Sequence, residues 1–75
     1  MKTGAKILVI DDEKSIRRFM DASLTANGYQ VLLARTGQEG IKTASEDHPD
    51  VVILDLNLPD KDGLSVLRKI REFSR

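Results

Sequence analysis

The chain has 75 residues, enough for one small domain, and it contains no cysteine, which excludes disulfides and thiolate metal sites. Its 12 Lys+Arg balance 12 Asp+Glu, so it has neither the basic field that favours nucleic acid nor the acidic excess of a disordered segment. Forty per cent of the residues are apolar, yet the longest apolar runs are too short for a membrane span or a signal peptide, so a cytoplasmic domain with no direct nucleic-acid and no membrane partner is expected.

Ile7, Leu8, Val9 and Ile10 form a β-branched run that stops at Asp11 and Asp12. An unbroken apolar run of strand length predicts a strand covered on both faces, as in a parallel sheet. Ile16, Met20 and Leu24 then recur at every fourth position with Phe19 beside them, while Arg17, Arg18 and Asp21 fall off that stripe. This is the pattern of an amphipathic helix, and Gly28 stands where a left-handed cap ends it. Tyr29 to Ala34 places Tyr29, Val31 and Leu33 on one face and Gln30 on the other, which suits an edge strand.

Thr36 and Glu39 have the spacing of a capping box, in which hydroxyl and carboxylate satisfy each other's backbone donors. The helix they open carries Ile41 and Ala44 and ends before His48-Pro49-Asp50, because proline restricts the residue that precedes it. Val51, Val52, Ile53 and Leu54 repeat the doubly buried strand pattern and stop at Asp55. After a loop rich in Pro and Asp, Leu64, Leu67 and Ile70, with Val66 and Phe73, mark a third helix that Asp62 is placed to cap.

The order βαβαβα argues an open parallel sheet with right-handed crossovers. An edge position for the second strand puts the other two side by side, in spatial order 2-1-3. The carboxyl ends of strands one and three then flank the point where the chain reverses direction across the sheet, the crevice where ligands collect in such folds. Asp11, Asp12 and Asp55 leave the strands at that edge. Either aspartate of the first pair, taken alone, reads as a helix cap. All three together repel one another unless a counter-charge is present, and a hard divalent cation with oxygen ligands relieves this. With so few protein oxygens, Mg²⁺ fits better than Ca²⁺ and leaves room for water and a phosphate. A carboxylate beside Mg²⁺ can itself attack phosphorus to form an acyl phosphate.

Val9-Ile10-Asp11-Asp12-Glu13 and Asp55-Leu56-Asn57-Leu58-Pro59-Asp60-Lys61-Asp62-Gly63 resemble the receiver domain of two-component response regulators. The 43 residues separating Asp12 from Asp55, and Ile16-Arg17-Arg18 in the first helix, suit the same family. The resemblance implies a flavodoxin-like (βα)3 half of a doubly wound parallel sheet. It implies Asp55 as phosphoacceptor, Asp12 as a direct Mg²⁺ ligand, Asp11 as its support, and the backbone carbonyl of Asn57 as a further ligand. The implied partner is a sensor histidine kinase, and the implied role is that of a phosphoacceptor, not an enzyme. Ile16-Arg17-Arg18-Phe19 and the Pro59–Gly63 loop are also similar to those of winged-helix transcriptional regulators.

A complete receiver continues for two more strands and helices, which supply a hydroxyl residue and a lysine that have no counterpart here. Residues 1–75 are therefore expected to form a truncated receiver whose phosphorylation is impaired. Strand three is then an open edge, and one sheet face lacks its second covering helix, which points to self-association as a homodimer. A self-assembling module with a vestigial acidic site is the alternative. Other patterns fall away. An EF-hand register through Asp60, Asp62 and Gly63 puts Leu58 first and Lys69 twelfth, where carboxylates are required. A phosphatase with Asp55 as nucleophile needs a second acid where Asn57 stands. His48 reads as a solvated loop residue, and Arg68, Lys69, Arg71 and Arg75 as a solvated helix end complementing the dipole.

Overall fold

The computed structural model describes residues 4–72, and each apolar run and amphipathic segment becomes an element. In chain order these are β1 (Lys6–Ile10), α1 (Lys14–Ala26), β2 (Gln30–Ala34), α2 (Gly37–Asp47), β3 (Val51–Leu54) and α3 (Gly63–Arg71). The strands form one parallel sheet in the order β2-β1-β3, with Ile10 in register with both Ala34 and Leu54. Because successive side chains alternate across a strand, this register sorts the apolar residues into two layers.

Leu8, Ile10, Ala34, Ala44, Leu58, Val66 and Ile70 form the buried core, with Leu32, Ile41, Val52 and Leu54 packed against it. This layer lies between the sheet and the α2–α3 pair: α2 rests on β1 and β2, and α3 rests on α2. Full burial of a side chain such as Leu8 or Val66 contributes about 1.5–3 kcal/mol. Ile7 and Val9 point to the opposite face, where α1 packs on β2 and β1. Among the described residues no helix is long and apolar enough to cross a membrane.

Local signals hold in detail at the helix ends. Gly28, at φ 89°, closes α1 in a left-handed turn: its N–H bonds the Thr25 carbonyl and that of Tyr29 bonds the Leu24 carbonyl. Thr36 Oγ1 accepts from Glu39 N at 3.1 Å as the capping box requires, but Glu39 Oε1 accepts from Arg35 N, one residue before the expected Thr36. Asp62 caps α3 by accepting from Leu64 N at 3.4 Å. His48 ends α2 in the left-handed region at φ 49° and is exposed, consistent with Pro49 barring a further helical turn.

Side-chain placement departs from the expected stripes in four places. On α3 the buried line is Gly63, Val66 and Ile70, whereas Leu64 and Leu67 are exposed, because the helix meets α2 through its Val66 side. Phe73 and Arg75 lie outside the described residues. On α1 no residue is fully buried, and Phe19, about 100° round the helix from Met20, is 67% exposed. In β2 the inward residues are Leu32 and Ala34, so the face opposite Val31 and Leu33 is the better buried one. In β3 the apolar run predicted two covered faces, yet Val51 is 48% exposed and the next three residues are only half-buried. With β1 on one side and no described strand on the other, β3 is an edge, as the 2-1-3 order leads one to expect.

Candidate functional site

The ladder continues one residue past the strand ends and so fixes the backbone of the acidic cluster. Asp11 N–H donates to the Ala34 carbonyl at 3.0 Å, and Asp55 N–H donates to the Ile10 carbonyl at 2.9 Å. Both residues are thereby held at the carboxyl edge of β1 and β3, with Asp12 next to them. One carboxylate oxygen from each of Asp11, Asp12 and Asp55 lies within 4.8 Å of the others. Asp11 and Asp55 are half-buried and Asp12 is exposed.

Neither Asp11 nor Asp12 is the N-cap of α1. That position belongs to Glu13, which makes no side-chain cap bond. Asp11 Oδ1 instead accepts from Glu13 N at 2.9 Å, and Asp55 Oδ1 accepts from Asn57 N at 3.0 Å. One oxygen of the Asp11 and of the Asp55 carboxylate is thus oriented by the turn that follows it. Among the described residues no Lys, Arg or His nitrogen lies within 4.0 Å of a carboxylate oxygen of any of the three acids. A cluster of hard oxygen donors whose carboxylates have no ion-pair partner among the described residues fits a divalent cation of the Mg²⁺ type.

Two supporting residues were not legible as such in the sequence. Arg17, read as an off-stripe surface residue, donates from Nη1 to the Asp11 carbonyl at 2.8 Å and ties α1 to the turn carrying the acidic pair. Asp60, read as part of the loop, accepts from Gly37 N at 2.8 Å and from Gln38 N at 3.0 Å. These two amides hold its carboxyl below the ordinary value of 3.8, the Gly37 bond being the larger cause. Its partners lie 22 and 23 residues earlier, a distance that no local spacing rule spans. The β3–α3 loop is closed by an antiparallel bridge between Asn57 and Asp62, by a bond from Gly63 N to the Leu56 carbonyl, and by Leu58, which is 8% exposed in the core.

Comparison with known proteins agrees with this geometry. Residues 7–75 match the family model described as response regulator receiver domain. The chain is 52% identical over 65 residues to the transcriptional regulatory protein KdpE of Mycobacterium tuberculosis, covering 87% of this chain and 29% of that protein. It is 43% identical over 68 residues to the KDP operon transcriptional regulatory protein KdpE of Escherichia coli, covering 91% and 30% respectively. The chain thus spans about three-tenths of the length of these curated relatives. Among solved structures, the chemotaxis protein CheY4 of Vibrio cholerae superposes with a TM-score of 0.89 at 34% identity, over 93% of this chain and 58% of that one. A flavodoxin-like sheet in the order 2-1-3, an acidic cluster at its carboxyl edge and a family match across nearly the whole sequence agree: the chain belongs to the response regulator receiver domain family.

Proposed function

We propose that the chain is the phosphoacceptor portion of a response regulator, with Asp55 receiving a phosphoryl group from the phosphohistidine of a sensor kinase. The carrying observation is the convergence of Asp11, Asp12 and Asp55 at one edge of the sheet. Asp12 and Asp55 would hold Mg²⁺ directly, with Asp11 in support and the Asn57 carbonyl completing the protein's share of ligands. The metal, when bound, supplies charge neutralisation at the phosphoryl oxygens. Asn57 N–H occupies Asp55 Oδ1 and leaves Oδ2 as the attacking oxygen. As the Oδ2–P bond forms, the P–N bond of the donor breaks and the imidazole nitrogen keeps its electron pair. Transfer to this chain is expected to be slow, because among the described residues no Lys, Arg or His nitrogen lies within 4.0 Å of the Asp55 carboxylate. In the parent protein the output is control of transcription, by similarity to relatives named as transcriptional regulatory proteins.

Incubation with a small-molecule phosphodonor and Mg²⁺, followed by intact mass measurement, tests this reading. A single phosphoryl adduct is expected, absent without the metal and absent in Asp55→Asn. A Mg²⁺ titration followed by NMR should move the amides of Asp11, Asp12 and Asp55; no movement up to high millimolar metal overturns the metal assignment.

A second reading concerns the chain on its own. The half-exposed β3 edge and the less covered α1 face favour homodimerisation of the isolated 75 residues. Antiparallel pairing of β3 with its copy, Val52 opposite Ile53, sets Asp50 of each copy against Asp55 of the other. Packing of the apolar faces avoids that repulsion and is the geometry we favour. Light scattering should report a dimer that Val51→Lys weakens; a monomer at high micromolar concentration rejects this reading.

A further inference from the structure

We infer that Asp60 is a positioning residue: seated on the first two amides of α2, its carboxylate fixes the backbone of the β3–α3 loop and with it the carbonyl of Asn57. The inference rests on the metal reading above only for what that carbonyl does. The local capping box already satisfies Glu39 N–H through Thr36. It leaves the N–H groups of Gly37 and Gln38, orphaned as at any helix start, and Asp60 takes both with its two oxygens, at 2.8 and 3.0 Å. An ionised carboxylate at the positive end of a helix dipole, accepting two backbone bonds, is a stronger tether than a neutral loop contact.

The surroundings are shaped for this approach. A Cβ placed on Gly37 would lie 2.8 Å from Val66 Cγ2, 3.0 Å from Lys61 Cβ and 3.3 Å from Asp60 Oδ1. Only a residue without a side chain lets the helix start meet the loop so closely. On the loop side, Asn57 and Asp62 pair as an antiparallel bridge, so residues 57–62 form a closed turn with Asp60 near its tip. Anchoring the tip to α2 leaves the Asn57 peptide little freedom to rotate, and Asn57 N–H is already committed to Asp55 Oδ1. Asp60 therefore acts on the acidic cluster through the loop, without touching it.

Three variants test this: Asp60→Ala, Asp60→Asn, which keeps one acceptor oxygen, and Thr36→Ala, which uncaps the same helix without altering the loop tether. Amide exchange of Asn57 and Gly63, measured without metal, should accelerate in Asp60→Ala, less so in Asp60→Asn, and stay at the wild-type rate in Thr36→Ala. Mg²⁺ affinity should fall about tenfold in Asp60→Ala, the lower end of what outer partners of metal ligands contribute. Loop exchange equal in Asp60→Ala and Thr36→Ala overturns the inference, since Asp60 would then be a second cap and nothing more. Should Asp60→Ala fail to fold, the ranking of Asp60→Asn against Thr36→Ala decides in the same way. Failure of the wild type to bind Mg²⁺ rejects the metal reading, while the metal-free exchange still judges the tether.

Discussion

The two faces of the sheet are covered unequally. Facing α2 and α3, Leu8 and Ile10 are wholly inaccessible and share a core with Ala34, Val66 and Ile70. Facing α1, Ile7 and Val9 are also buried, yet their neighbours Leu33 and Val51 are 39% and 48% exposed, and no residue of α1 is fully buried. Two helices cover three strands on one side and a single helix does so on the other. The better packed side is also the one through which Asp60 and Leu58 hold the β3–α3 loop, so stability and site geometry are coupled on that face and nearly separate on the other.

Substitutions should expose this asymmetry. Leu8→Ala is expected to cost about 2–5 kcal/mol, the range for deleting a buried leucine side chain. That is comparable with the roughly 3–5 kcal/mol available to a domain of this size, so urea denaturation followed by circular dichroism should lose its cooperative transition. Leu33→Ala, on the face toward α1, should cost about 1 kcal/mol or less, because much of its side chain is already in water. Equal losses from the two variants would break the comparison.

The smallest expected effect sharpens it through pH. Backbone bonds from Gly37 and Gln38 lower the Asp60 pKa below 3.8, so its stabilisation is fully present above that value and is lost as pH falls through the lower folded-state value. The stability gap between wild type and Asp60→Asn, measured by urea titration at stepped pH, should therefore close in acid. A gap that stays constant would place the contribution elsewhere.

Much of this was legible locally. The strand ends at Asp11 and Asp55, the left-handed turn at Gly28 and the caps at Thr36 and Asp62 depend on neighbours within four residues, and all lie where spacing placed them. Leu64, Leu67, Ile70 and Val66 mark α3 in the sequence, but which of them is buried was not legible, for the converse reason. Leu64, Leu67 and Val66 are equally apolar, and only the angle at which α3 meets α2 selects Val66 for burial. Arg17 and Asp60 were missed because a charged residue in a turn or on a helix carries no mark of the distant amide or carbonyl it will meet.

Sequence alone therefore determined the order of elements, the parallel sheet and the gathering of the acidic residues at its carboxyl edge. Periodicity and parallel connection leave few alternatives at that level. The tertiary structure decided which face of each helix is buried, that Arg17 reaches the turn carrying the acidic pair, and that α2 anchors the loop beside the acidic cluster. Those outcomes depend on contacts between segments far apart in the chain, whose energies arise only when the layers are packed together.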